Sequence, residues 1–462
     1  MRILLIQPGI SANRFARPFG AVEPLGLESL SAAFKSVADV EFIDMRFAST
    51  EELVRRLSED NIRACGLTSS FTMDYKPTVA LSRMIKEVDS RIFVFVGGHH
   101  PSLRPIDFFL PTIDAVVVGE GENTVVDLHR CIEGGGRLEA VDGIAVNTPE
   151  HQFSTHPRHL IKSLDSILPP ERSLVNIYRK KYRLFTEHNV TSIETSRGCP
   201  FRCNFCSVWV FYGGKVRMKS PEAVVNEVKS AATKEVFFVD DNFFSSEGRA
   251  SRVASLLKAE GIRKRYLLQT RTDVVARNPA LMETWAELGL MGVFLGLEKV
   301  AQQDLDVVGK KNTVENNEAA LRILESLDVS AVTSFIADTE AGKDSFALIR
   351  EYVRKMKLRM PLFTILTPLP GTELFEKKSK EITSRDYDKY DLFHPVLNTR
   401  LELEEFLIEF SSLYRAAYPA PVAVVGGLGL FLQVLRGKLS LNDWLEIVGD
   451  WRKLTSPAAY LT

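Results

Sequence analysis

Three of the five cysteines in this 462-residue chain fall within eight positions, in the stretch Thr195-Ser196-Arg197-Gly198-Cys199-Pro200-Phe201-Arg202-Cys203-Asn204-Phe205-Cys206. Thiolates bind soft metals and iron–sulfur clusters. At x3 and x2 spacing, Cys199, Cys203 and Cys206 can hold three irons of a four-iron four-sulfur cluster and leave the fourth open to an exogenous ligand. An open iron implies reactivity rather than storage. A closed zinc site needs four protein ligands, usually as paired C-x2-C units, and no fourth cysteine or paired histidine lies close. Cys65, in a strand-like run, and Cys131, on a helix-like one, read as buried inert thiols.

The elements around this loop say where it points. It follows a predicted strand, Ser192–Thr195, and a strand–helix series continues through Val236–Val239, Tyr266–Thr270, Gly292–Leu297, Ala331–Ile336 and Leu362–Leu366. Six repeats in about 180 residues fit a partial (β/α)6 barrel, and loops at the C-terminal ends of barrel strands are where such folds do chemistry. Upstream, residues 1–135 alternate short apolar runs (Arg2–Ile6, Val40–Asp44, Ala64–Thr68, Ile92–Val96, Ala115–Val118) with amphipathic stretches (Pro24–Lys35, Thr50–Ser58, Asp74–Glu87, Ser102–Leu110, Asn123–Ile132). That pattern predicts an α/β, five-stranded doubly wound (Rossmann-like) domain whose ligand lies beyond the strand C-termini. Residues 136–189 lose the alternation and read as a linker, 190–400 as the barrel, and 401–462 as a helical region with an amphipathic Leu401–Tyr414. Ser220-Pro221-Glu222 reads as a plain helix start, with an N-cap and then proline.

The Cys-x3-Cys-x2-Cys spacing with an aromatic residue before the last cysteine closely resembles the radical S-adenosylmethionine (SAM) superfamily. The resemblance implies that the open iron chelates SAM and that electron transfer cleaves it to a 5′-deoxyadenosyl radical, the cofactor carrying the hard chemistry. It also implies a low-potential electron donor of flavodoxin or ferredoxin type. Strand ends downstream match the superfamily's SAM-binding places: Asp240-Asp241-Asn242 for the methionine part, Arg271 for the carboxylate and Glu298 for the ribose. Each of these could equally serve as an N-cap or a structural ion pair. Phe205 packs either beside the adenine or into the barrel wall.

A five-stranded domain before such a barrel resembles the cobalamin-binding domain of the cobalamin-dependent radical SAM class. The segments that carry this are Glu23-Pro24-Leu25-Gly26-Leu27, Val96-Gly97-Gly98-His99-His100-Pro101-Ser102 and Val118-Gly119-Glu120-Gly121-Glu122. Gly97, Gly98, Gly119 and Gly121 would let backbone approach a corrin or its nucleotide tail, with Ser69, His99, Ser102 and Glu120 beside them. A nicotinamide site would need G-x-G-x-x-G after the first strand, which Pro8-Gly9-Ile10-Ser11-Ala12-Asn13 lacks. The Asp-x-His-x-x-Gly that supplies cobalt's lower ligand in many cobalamin proteins is missing too. Asp127-Leu128-His129 has Ile132 where glycine is required, so His129 reads as a surface or capping residue. Arg14, Phe15, Ser69 and Ser70 are the candidates near the lower face.

Finer text, including Ser207-Val208-Trp209-Val210-Phe211-Tyr212-Gly213 and Gly261-Ile262-Arg263-Lys264-Arg265-Tyr266, resembles the hopanoid C-3 methylases from residue 1 to about 415. This implies a methyltransferase in which the adenosyl radical activates a carbon and methylcobalamin delivers the methyl group, on a hopanoid-like polycyclic lipid. Cyclisation, coupling or oxidation without methyl transfer is the alternative. A net charge of −1, with Lys and Arg scattered, implies no nucleic-acid partner. The start of the chain lacks a signal-peptide core, which suits the cytoplasm. Pro421–Leu435 is too short to span a bilayer and is interrupted by Gly426, Gly427 and Gly429. With Arg436, Lys438, Trp444 and Trp451 it reads either as an interfacial membrane contact or as a helix packed on the barrel.

Overall fold

Alternate residues of the first strand are buried in opposite directions, Ile3 and Leu5 in one apolar cluster and Leu4 and Ile6 in another. A strand apolar on both faces belongs inside a sheet covered on both sides. The computed structural model, which describes residues 2–9, 20–59, 61–147, 152–185, 187–435 and 439–461, has this arrangement. Strands β1 (Arg2–Gln7), β2 (Asp39–Asp44), β3 (Ile62–Thr68), β4 (Phe93–Gly97) and β5 (Ala115–Val117) run parallel in the order β2-β1-β3-β4-β5. Helices Leu25–Phe34 and Gly121–Gly134 cover one face, and Thr50–Glu59 and Tyr75–Val88 the other.

The sheet has seven strands rather than the expected five. β6 (Ile144–Asn147) and β7 (Gln152–Ser154) add antiparallel to β5, from the segment read as a linker. The same segment wraps back over the sheet: Val141, Val175, Tyr178 and Tyr182 are buried in the first cluster, and the Tyr182 hydroxyl donates to Asp44 at 3.1 Å. Residues 136–182 thus form a strap that completes the first core. The helix expected at 102–110 begins earlier, as His99–Leu103, and resumes as a 3-10 turn at Pro105–Phe108, because Pro105 cannot continue the helix.

A two-residue hairpin of β8 (Arg183–Leu184) and β9 (Glu187–His188) precedes the second sheet. That sheet is a six-stranded parallel partial barrel made of β10 (Thr191–Ile193), β13 (Glu235–Phe238), β14 (Arg265–Thr270), β15 (Leu290–Glu298), β16 (Ser330–Ala337) and β17 (Met360–Ile365). The remaining pair, β11 (Ser196–Arg197) and β12 (Arg217–Met218), is antiparallel and flanks the cysteine loop. In the barrel core Trp285 meets Phe238, Phe243 and Tyr266 edge to face, while Phe238 and Tyr266 stack face to face. Ser220 caps the helix Pro221–Ser230 as expected, accepting from the Ala223 N–H. Helix Leu403–Ala417 closes the barrel. Beyond it, Ala420–Leu435 packs on Leu441–Thr455, where Trp444 donates to the Gly427 carbonyl at 2.9 Å. No helix among the described residues is long and apolar enough to cross a membrane.

Candidate active site

The cysteine loop leaves the C-terminal end of β10 and is fixed by a residue from the next strand. One carboxylate oxygen of Asp240 accepts the N–H groups of Thr195 (2.6 Å) and Ser196 (3.0 Å), and the other accepts the Thr195 hydroxyl. Asp240 is buried, and burial raises its pKa. With both oxygens engaged by Thr195 and Ser196, Asp240 holds the loop. Asp241 accepts the Gly198 N–H at 3.2 Å, and its other oxygen has no hydrogen-bond partner among the described residues. Burial lifts its carboxyl to about 7. Gly198 adopts φ +92, and the Lys215 carbonyl occupies the place where a side chain would start, so the turn into Cys199 requires glycine.

Within the loop the Cys203 carbonyl accepts the Cys206 N–H (3.1 Å) and the Trp209 indole N–H (2.9 Å). Burial pushes all three thiols up, Cys206 to about 12. Around Cys203 the Lys310 and Arg271 charges act against burial and favour the thiolate. That surrounding suits a cluster whose thiolate ligation makes it anionic. Among the described residues no three His, Cys, Asp or Glu side chains gather around a single point as they would for one metal ion. A four-iron cluster with an open site asks for something different, one thiolate for each of three irons and none for the fourth. The donor set therefore fits the cluster.

Arg271 was expected to meet the SAM carboxylate. Its guanidinium instead lies 3.5 Å from the centre of the Phe201 ring, donates to Asp273 at 2.8 Å, and donates to the carbonyls of Lys310 (2.9 Å) and Lys311 (3.0 Å). It ties the cysteine loop to the loop after β15. Glu298 ends β15 at a register shift with φ +64, a conformation rare outside glycine that persists where surroundings impose it. Its carboxylate accepts from Lys310 Nζ at 2.7 Å in a buried pair. Gly296 makes room for that pair, since a Cβ there would overlap the Glu298 carboxylate and lie 2.7 Å from Lys310 Nζ. Phe205 packs with Ile336, Leu366 and Leu374.

On the first sheet, the loops after β3, β4 and β5 are pinned together. The Ser69 N–H donates to the Gly97 carbonyl at 2.8 Å, and the Ser102 hydroxyl donates to the Gly98 carbonyl (2.6 Å) while accepting the Gly119 N–H (2.9 Å). Ser102 is therefore a pin between loops. Gly98, at φ +120, could not carry a Cβ, which would meet the Ser69 carbonyl at 2.7 Å. Gly119, at φ +83, faces open space, the clearance a bulky planar cofactor needs. A Cβ on Gly97 would make ordinary contact with Val117, whereas one on Gly121 would press on Leu30 at 3.0 Å. These residues fit cobalamin.

His99 stacks flat on Phe211 at 4.1 Å, and burial lowers its pKa to about 4, keeping the ring neutral. His100 is buried and bonded at 3.0 Å to Asp107, which also accepts from Tyr387 at 2.6 Å, so it serves the domain interface. His129 is buried rather than superficial, 2.7 Å from the Val37 carbonyl. Arg14 and Phe15 lie outside the described residues. Glu120, expected beside the cofactor, is paired with Arg197 (2.7 Å) and Arg217 (2.8 Å) from the barrel. Sequence reading singled out neither arginine, nor Thr195, nor Lys310.

The family model for the B12 binding domain matches residues 15–129, and that for the radical SAM superfamily matches residues 193–337. The chain belongs to the cobalamin-dependent radical SAM methyltransferase family, whose cofactors are a four-iron four-sulfur cluster, SAM and cobalamin. It is 31% identical to the hopanoid C-3 methylase of Methylococcus capsulatus over 422 residues, 90% of this chain and 80% of that one. It is 28% identical to the anaerobic magnesium-protoporphyrin IX monomethyl ester cyclase of Cereibacter sphaeroides, over 90% of this chain and 70% of that one. The fold is shared with the cobalamin-dependent SAM radical enzyme OxsB with aqua-cobalamin and SAM bound (TM-score 0.72, 16% identity, 98% of this chain and 78% of that one). It is shared too with the radical SAM methyltransferase TsrM from Kitasatospora setae with cobalamin and cluster bound (TM-score 0.65, 17% identity, 83% and 75% covered).

Proposed function

We propose that this chain transfers a methyl group to an unactivated carbon of a hopanoid-like polycyclic lipid. The observation that carries the reading is the 31% identity to a hopanoid C-3 methylase along 90% of the chain, through both cofactor-binding domains. When bound, the cluster and SAM supply a hydrogen-abstracting radical, and cobalamin supplies the methyl-carrying chemistry. Cys199, Cys203 and Cys206 would hold the cluster. The other oxygen of Asp241 would accept from the SAM ammonium, and the Glu298–Lys310 pair would meet its polar end. The glycine loops at 97–98 and 119–121 would seat cobalamin.

A lipid substrate calls for access to a membrane surface. Leu428, Leu432, Leu435, Leu441 and Leu445 are exposed on the C-terminal helix pair, and Ala420–Leu435 bears no charge, which supports peripheral contact. Arg436 and Lys438, expected near head groups, lie outside the described residues. Reduction would come from a flavodoxin- or ferredoxin-type donor.

The test is an anaerobic assay of the reconstituted, cobalamin-loaded protein with a low-potential reductant, SAM and diploptene, quantifying 5′-deoxyadenosine, S-adenosylhomocysteine and product mass. Both nucleosides together with a methyl-shifted hopanoid are expected. 5′-Deoxyadenosine without S-adenosylhomocysteine, across a panel of lipids, would overturn methyl transfer in favour of cyclisation or coupling.

A further inference from the structure

Two arginines face each other at the root of the cysteine loop. The β11–β12 ladder places Arg197 opposite Arg217, and like charges directly across a ladder repel. Both nevertheless point into the same place, because carboxylates from the other domain lie between them. Arg197 donates to Glu120 at 2.7 Å, to Glu122 at 2.5 Å and to Glu194 at 2.8 Å. Arg217 donates to both oxygens of Glu120 at 2.8 Å and to the Ile161 carbonyl at 2.8 Å. The Ile161 N–H in turn donates to Glu120 at 2.7 Å. The Glu120 side chain is 5% exposed and that of Arg197 8%.

Ion pairs this deeply buried gain little net stability over apolar packing, and their best-attested use is to specify register. Here the register lies between two cofactor loops. Glu120 sits between Gly119 and Gly121 at the end of β5, and Arg197 stands two residues before Cys199. A second bridge runs alongside. His99, from the loop after β4, stacks on Phe211, and the adjoining Tyr212 ring lies 5.4 Å from the Arg217 guanidinium.

We infer that Arg197, Arg217, Glu120 and Glu122 form a clamp that sets the cobalamin-side loop against the cluster-bearing loop, so that cobalamin binding is felt at the cysteines. These are positioning residues. The inference rests on the functional reading for what fills the two loops, and goes beyond it in assigning the coupling between them.

Hydrogen exchange read by mass spectrometry, on the full-length cluster-reconstituted protein with and without hydroxocobalamin, tests it. Absorbance of the same samples reports cobalamin binding. In wild type, cobalamin is expected to slow exchange at residues 118–123 and also at 196–206. In E120Q and R197K the first effect persists and the second is lost; lysine keeps the charge but not the forked donor. The yield of methyl transfer per 5′-deoxyadenosine falls about tenfold in both, within the usual range of coupling between sites. E122Q, which leaves Glu120 bridging both arginines, gives a partial loss and keeps the test open should the other two fail to fold. Cobalamin bound to wild type without protection at 196–206, or protection there that survives in E120Q or is untouched in E122Q, would overturn the clamp and leave the functional reading standing. A wild-type protein that binds no cobalamin would overturn both.

Discussion

The mouths of the two sheets are built on opposite plans. At the barrel the loop is held by charged side chains: Asp240 under its first turn, Arg271 against Phe201, and Glu298 with Lys310 beside Cys203. At the first sheet the work falls to backbone and one hydroxyl, with Gly98, Gly119 and Ser102 stitching three loops around a clearance. The difference follows from the guests. A cluster is bound through specific ligands, whose thiols must be aimed and whose charge must be balanced. A corrin is large and mostly needs room, and absent side chains provide it.

If the plans are separable, each can be broken without the other, and the cysteines give the largest effect. Cys203→Ser is expected to remove at least about a thousandfold of 5′-deoxyadenosine formation, since the cofactor carries the chemistry, while hydroxocobalamin titration by absorbance stays as in wild type. Loss of both would mean the regions do not fold apart. The converse variant is Gly98→Val, which must take φ +120 against the Ser69 carbonyl. Strain of about 1–3 kcal/mol should weaken cobalamin binding by roughly tenfold or more, with iron and sulfide content unchanged.

The smallest effect sits at the seam between the regions. Glu28 is fully buried beside Glu23 and Arg172, and burial first, then the Glu23 charge, raises its carboxyl to about 8 from an ordinary 4.5. In the unfolded chain it ionises near 4.5, so its contribution is fully present below that pH and is lost as pH rises towards 8. Glu28→Gln is expected to leave the melting temperature unchanged near pH 4.5 and to raise it by about 2–4 °C at pH 8, by calorimetry. An equal shift at both would show that Glu28 is ionised when folded.

The strands were legible wherever an apolar run alternated with an amphipathic helix, and both parallel sheets lie within a residue or two of where that pattern placed them. β6 and β7 were not, because a four-residue strand followed by a three-residue one, with no helix between, resembles connecting chain. The cysteines were legible from spacing alone. Asp240 and Glu120 were found as residues, but the protein groups that hold them were not. A carboxylate at a strand end looks the same in sequence whether it meets a ligand or, as with Glu120 and Arg197, a guanidinium 77 residues away. Lys310 and Arg217 left no signal, since scattered basic residues on loops are ordinary.

The strap from 136 to 182 bears on how the protein comes into being. The core over the first sheet is not complete until Tyr178, which meets the Phe42 ring edge-on at 5.8 Å, and Tyr182 have been made. At ribosomal rates of about 5–20 residues per second, that part of the face stays open for roughly two to ten seconds after Gly134 emerges. A fragment cut near residue 135 would stay permanently in that half-born condition, its β5 edge bare and the apolar surface around Phe42 wet. Expressed alone, the cobalamin-binding half needs the chain through Tyr182.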